Sequence, residues 1–510
     1  MNHFPILPVL LPSLAGIAML LPPLSTRLTM QRWVAWGVLT VLIAIGGILI
    51  LQAQRETLTY ALGGWQPPFG ILFVVDRLAA LLIALTAVLA FCAGLYSAEE
   101  EDRKGPFYYP LFLFQVMGIN GAFLTGDLFN LFVFFEILLI ASYALIVHGG
   151  GREKTKAGFH YVTLNLIGSA LFLVALGTLY GTVGSLNMAD MAFRVGQLLP
   201  EDQTLVKTGG LLLLLVFSLK SALLPLHFWL PKTYGAASAS VVALFAVMTK
   251  VGFYSICRVF AGIFGNEAGT LANLATPWIW PLAIATIAIG SAGVYAATSL
   301  RSITANLVIV SVGTLLLAFV MDGGRSLFVG FYYMLHSTLV TGALFLIADL
   351  IGRQRGIAMD EMVRARPVNQ ATLLSVFFFA FAIAAIGLPP LSGFVGKALL
   401  LQSASRLAEQ VWVWPALLIS SLMALVAFTK AGSTFFWHVS PKDASGSRNA
   451  RLTQMVSLSI LLSATVLMTV FADSILAYSQ GAARDIRKRP IITQQQSQIE
   501  RSPIHEENES

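Results

Sequence analysis

The sequence predicts an all-α integral membrane protein of about fourteen transmembrane helices, with two inverted five-helix repeats and broken helices 7 and 12. Three observations predict it. Of 510 residues, 57% are hydrophobic and only 11% charged, with a mean hydropathy of +0.78, where a soluble protein carries roughly a quarter charged residues. Apolar runs recur from Phe4 to Tyr478, so the deficit is spread along the chain. Lys and Arg fall between those runs, as in loops facing anionic lipid. The net charge of +7 therefore reads as loop charge, and no nucleic-acid partner is expected.

A crossing takes roughly 20 mostly apolar residues. That measure places spans near 4–23, 33–52, 71–96, 107–125, 128–147, 160–183, 205–230, 236–263, 275–299, 302–321, 326–350, 370–405, 411–438 and 452–479. The first run lacks a basic leader and a small-residue cleavage site, and reads as a retained helix. Run 205–230 contains Pro225, and run 370–405 is too long for one straight crossing and contains Pro389-Pro390. Proline removes a backbone donor and clashes with the preceding turn, so both read as broken helices. Residues 184–204 have apolar positions at helical spacing and three acids, the pattern of an interfacial helix or packed loop.

The organisation is then 1–106 for the first three helices, 107–263 for a first repeat (helices 4–8) and 275–438 for a second (helices 9–13). Helix 14 covers 452–479, and 480–510 is a soluble, disordered tail. Inverted repeats with broken helices near the midplane recur in transporters. The match pairs Lys220 with Lys397 and Lys250 with Lys430, and leaves Glu136 without an acidic counterpart. With the N-terminus outside, sixteen basic residues between Arg27 and Arg451, Lys442 and Arg448 among them, fall in cytoplasmic loops. Arg55, Arg194, Arg325 and Arg406 fall opposite. Arg484, Arg487, Lys488 and Arg489 break this bias, because an even helix count puts the tail outside.

No loop exceeds about twenty residues, and no phosphate-cradling Gly-x-x-x-x-Gly-Lys-Ser/Thr or Gly-x-Gly-x-x-Gly run occurs in a fitting context. Cys92 and Cys257 are isolated in apolar runs, so no disulfide, zinc or iron–sulfur site is read. No cofactor is expected, and energy must come from an ion gradient or from partner subunits.

The informative residues are ionisable groups inside apolar runs, where a charge costs about 2.5–3.5 kcal/mol at the bilayer centre and so faces a bundle interior or water. Glu136 is the only charge between Asp127 and His148, among Phe132, Phe134 and Phe135. Lys220 precedes Pro225 in an uncharged stretch, far from either end. Lys397 follows Pro389-Pro390; Lys250 and His336 complete the set. Each has a plainer reading: Glu136 as a protonated packing residue, Lys397 at an interface near Arg406, His336 as a satisfied core histidine. His227, beside the first break, and Lys430, near a helix end and suited to snorkelling, are secondary candidates. A carboxylate near a buried lysine holds the ammonium charged, and separation releases the proton. Histidine relays near neutral pH. A wet row of such groups makes a switchable proton path.

At these residues a resemblance appears. Ser218-Leu-Lys-Ser-Ala-Leu-Leu-Pro-Leu-His-Phe-Trp-Leu-Pro-Lys-Thr-Tyr-Gly-Ala-Ala-Ser-Ala-Ser240 resembles the signature of the antiporter-like family. That family comprises the L, M and N subunits of respiratory complex I and the large subunits of Mrp-type cation/proton antiporters. Phe134-Phe-Glu136-Ile-Leu-Leu-Ile-Ala-Ser-Tyr143 is similar to its fifth helix and Leu388-Pro-Pro-Leu-Ser-Gly-Phe-Val-Gly-Lys397 to its twelfth. Leu230-Pro-Lys-Thr-Tyr234 and Lys397 resemble the D-type subunits of Mrp/Mnh/Pha-type Na⁺(K⁺)/H⁺ antiporters. The resemblance implies Glu136, Lys220, Lys250 and Lys397 as translocation residues, with His336 at the relay of helix eleven. Thr341 stands where many relatives have a second relay lysine. It also implies H⁺ and Na⁺ or K⁺ as substrates, other membrane subunits as partners and a bacterial inner-membrane location. Two other readings remain at this point: an M/N-like proton-pumping subunit of an NADH:quinone oxidoreductase or membrane hydrogenase, and a non-transporting scaffold.

Overall fold

The computed structural model describes residues 3–65, 70–98, 100–440 and 449–487. Lys442, Arg448, Lys488, Arg489 and the tail from 488 onward lie outside them.

Helices α1 (Leu7–Leu20) and α2 (Leu28–Arg55) lead into a two-stranded antiparallel hairpin, β1 (Leu58–Ala61) and β2 (Leu72–Val75). Then come α3 (Arg77–Tyr96), α4 (Tyr108–Leu124), α5 (Leu128–Val147) and α6 (Arg152–Val183). The short α7 (Met188–Val195) is followed by α8 (Gln203–Ser221), α9 (Trp229–Ala236) and α10 (Ala239–Cys257), which continues as a π-helical turn, Arg258–Ile263. Next are α11 (Thr276–Ala296), α12 (Leu300–Val320), α13 (Leu327–Arg355), α14 (Ala371–Ile386) and α15 (Ser392–Ser403). The chain finishes with α16 (Leu407–Phe436), α17 (Leu452–Val470) and α18 (Ala472–Arg487).

Among the described residues, eleven helices are long and apolar enough to cross a membrane: α2, α3, α5, α6, α8, α10 to α13, α16 and α17. Two shorter apolar helices, Phe4–Leu20 and Ala371–Ile386, accompany them. With every backbone polar group bonded inside the helix, such segments can sit in hydrocarbon. Every residue of α10 is buried, α12 and α13 nearly so, and these inner helices form the axis of the bundle. The outer helices expose apolar faces instead, as α16 does with Trp412, Leu418 and Leu422.

Several expectations shift. The run 71–96 does not begin as helix: Leu72–Val75 is strand, and the Asp76 carboxylate accepts from Ala79 N at 2.9 Å to start α3. Apolarity alone does not separate four apolar strand residues from a helix turn, whereas the N-cap aspartate does. Residues 184–204 hold the eight-residue α7, capped by Asn187, with Ala189, Met191, Ala192 and Val195 buried. The tail expected from 480 begins as helix: α18 runs to Arg487 and packs on α3 and α13, with Asp485 pairing Arg77 at 2.8 Å.

The two ends of the bundle differ in charge. One end gathers Arg103, Lys104, Arg152, Lys154, Arg301, Arg353 and Arg451 around a cavity of about 960 Å³. The other holds the buried pair Arg258–Asp76, at 2.5 Å, and Arg77–Asp485. Arg77 and Arg258 lie inside apolar runs, outside the loop count.

Candidate functional site

Glu136 lies in mid-α5, half-buried, and accepts a hydrogen bond from the Ser169 hydroxyl of α6. One turn back on α6, Asn165 receives Lys220 of α8: its Nζ lies 3.2 Å from Oδ1 and 3.4 Å from the Asn165 carbonyl. Asn165 and Ser169, four residues apart, therefore share a helix face and hold the acid and the amine side by side. Glu136 and Lys220 are thus linked through neighbouring turns of α6 and not by a direct ion pair.

Lys220 sits in the last turn of α8. Ala222 adopts a left-handed conformation (φ 60°), and Ala222 N and Leu223 N bond back to the carbonyls of Leu219 and Ser218, closing the helix. Pro225 offers no donor, and the chain turns until α9 starts at Trp229. His227 lies half-buried in that turn, beside Pro225, and bonds to none of the other candidates.

From α8 the row passes to α10. A Cβ on Gly252 would lie 3.1 Å from the Lys220 carbonyl carbon, so only glycine lets the two helices approach this closely. Lys250, fully buried one half-turn away, donates from Nζ to Ser311 Oγ of α12 at 2.8 Å. On α13, beyond α12, His336 packs its ring 5.7 Å from that of Tyr333, and its Nδ1 lies 2.9 Å from Ser392 Oγ at the start of α15. Gly393 makes this possible, because a Cβ there would stand 2.9 Å from the imidazole.

Lys397, on α15, ends the row. Its Nζ donates to the carbonyls of Ala385 (3.2 Å) and Ile386 (2.7 Å) and to Ser421 Oγ of α16 (2.8 Å). The two carbonyls belong to the last turn of α14, where Gly387 (φ 87°) and Pro389-Pro390 interrupt the helix. A helix end leaves carbonyls unsatisfied and partially negative, a fitting seat for an ammonium.

Four expected residues, Lys220, Lys250, His336 and Lys397, thus stand buried on helices packed in succession, α8, α10, α13 and α15, and half-buried Glu136 on α5 joins them through α6. Lys430 does not join them. It is exposed on α16, as a snorkelling lysine would be. The neutral partners Asn165, Ser169, Ser311, Ser392 and Ser421 were missed. Asn165 and Ser169 could have been found as two polar residues at i, i+4 in the otherwise apolar middle of α6. The single serines carry no comparable signal.

Residues 125–424, which carry all five groups, match the model of the NADH:quinone oxidoreductase/Mrp antiporter transmembrane family. The chain belongs to that family. It is 36% identical to the D subunit of a probable K(+)/H(+) antiporter of Rhizobium meliloti, across 95% of this chain and 96% of the relative. It is 35% identical to the D subunit of the Na(+)/H(+) antiporter of Bacillus subtilis, across 95% and 97%. Among solved structures, a chain of the Mrp complex from a Dietzia species superposes with a TM-score of 0.83 at 25% identity, covering 97% of this chain and 99% of that one. A chain of respiratory complex I from Thermus thermophilus shares the fold, with a TM-score of 0.78 at 23% identity. This family member is a multi-pass membrane protein.

Proposed function

We propose that this chain is the proton-translocating D-type subunit of a multisubunit monovalent cation/proton antiporter in a bacterial cell membrane, exchanging H⁺ for Na⁺ or K⁺ together with other membrane subunits. The observation that carries the reading is the row of half-buried Glu136 and buried Lys220, Lys250, His336 and Lys397 in a chain that aligns over 95% of its length with two antiporter D subunits. The redox-complex reading rests on the shared family and fold, whereas the antiporter reading also has these two relatives.

The path works by charge exchange. Each ammonium is held by neutral oxygens, which stabilise it but do not neutralise it. Glu136 is the one acid in the row, held by Ser169 one turn along α6 from the Asn165 oxygens that hold the Lys220 amine. When Glu136 draws away or takes up a proton, Lys220 passes its own towards Lys250, and the serines and His336 bridge the later steps. The cation gradient and the partner subunits set the direction.

Fourteen crossings follow if α1, α4 and the two-part α14–α15 join the eleven long helices. The repeat 107–263 then holds the break at Lys220, and 275–438 the break at Lys397. The test is Na⁺- and K⁺-driven collapse of ΔpH in membrane vesicles carrying the whole complex. Glu136→Ala, Lys220→Ala and Lys397→Ala should each abolish it, and unchanged activity in all three would end the proposal.

A further inference from the structure

The cavity of about 960 Å³ at the basic end of the bundle is not used by the proton path. Seven Lys or Arg line it against four acids, Glu100, Glu101, Glu153 and Asp349. Three of those acids are already engaged by some of the bases: Arg353 with Glu100 and Asp349, Arg301 with Asp349, Lys104 with Glu101. Four helices, α6, α10, α12 and α17, begin at its wall, so the positive ends of four backbone dipoles converge there. The starts of α12 and α17 are satisfied, by Ser299 and by Gln454. Those of α6 and α10 have no side-chain cap. Ser238, the residue before α10, is only 6% exposed, lines the cavity and leaves its Oγ without a hydrogen-bond partner. Buried hydroxyls are ordinarily satisfied.

We propose that this vestibule is an oxyanion site that takes a phosphate group between the starts of α6 and α10, held by Ser238 Oγ, the free first-turn amides and the side chains of Arg152 and Lys154. Uncapped helix starts with flanking bases are the standard donor set for phosphate. The phosphate can belong to an anionic phospholipid headgroup or be free in solution, and both present the same oxygens. An acidic segment of a neighbouring protein of the complex is a different occupant, and the test separates it.

The experiment uses the assembled complex in phosphatidylcholine nanodiscs. One arm titrates inorganic phosphate by calorimetry. The other adds cardiolipin to the nanodiscs and counts retained lipid by native mass spectrometry. Saturable binding is expected in at least one arm. Arg152→Gln with Lys154→Gln should weaken it about tenfold, and Ser238→Ala about threefold, the scale of one or two hydrogen bonds to a charged group. Arg55→Gln, an exposed arginine at the opposite end, should leave it unchanged. Because Arg152 is exposed and Lys154 half-exposed, the double variant should assemble normally. No saturable binding in either arm, binding unaffected by the double variant, or cross-linking of Lys154 to an acidic segment of another protein of the complex would each overturn the proposal.

Discussion

Both helix breaks have a lysine within a few residues of proline in sequence, yet they solve the burial of that lysine differently. At the first break Lys220 precedes the interruption and is received from the side, by the Asn165 amide oxygen and carbonyl, with the Glu136 carboxylate nearby. At the second, Lys397 follows the interruption and reaches back to the freed carbonyls of Ala385 and Ile386 and to Ser421. One amine has an acid whose charge can change. The other has only fixed dipoles and a nearby histidine. The first region is built to switch and the second to hold, so removing groups should cost more at the first.

The largest effect is expected at the acid. Glu136→Gln, which keeps a hydrogen bond to Ser169 but removes the charge, should lower ΔpH-coupled flux in vesicles by about a hundredfold, the low end for loss of a proton-transfer group. A flux as high as wild type would erase the contrast between the breaks. Asn165→Leu should cost about tenfold, because Lys220 loses a hydrogen bond to a charged group. Ser421→Ala should cost only about threefold, since two carbonyls still hold Lys397. Equal losses in these two would show that both lysines depend alike on their side-chain acceptors. Lys430→Ala, at an exposed lysine that the repeat would pair with Lys250, should leave flux unchanged.

A pH effect lies outside both breaks. His148, just past α5, has its ring 3.1 Å from the Glu101 carbonyl, and burial lowers its proton affinity below the ordinary value of 6.5, with Lys154 and Lys104 pushing the same way and Glu101 opposing. The unfolded chain therefore binds the proton more readily than the folded one. The contribution to stability is full above about pH 6.5 and falls as pH drops from there towards the lowered value. Melting of the complex at pH 8 and pH 5.5 should show a smaller acid loss for His148→Gln than for wild type. An identical loss would place the acid sensitivity elsewhere.

Much of this was legible because burying charge is expensive. Glu136, Lys220, Lys250 and Lys397 stood out as charges deep in apolar runs, and the prolines marked where the backbone opens. The neutral half of the site was not legible: Ser311, Ser392 and Ser421 are ordinary residues in helices, and only packing turns them towards an amine or the imidazole. The outward placement of Lys430 was legible from its position near a helix end, in contrast to Lys250 in mid-run. The β-hairpin escaped because four-residue strands are shorter than any hydropathy window, and the part of α18 beyond 479 because Arg484, Asp485 and Arg487 resemble a solvated tail.

The central claim is that the five groups form one connected path, and Lys250 in its middle tests it most directly. Lys250→Met removes the charge from a fully buried site while filling nearly the same volume, so the complex should assemble as before. Proton flux in vesicles carrying the whole complex should then vanish although Glu136, Lys220, His336 and Lys397 remain in place. Flux at the wild-type rate would mean that protons pass without using the row.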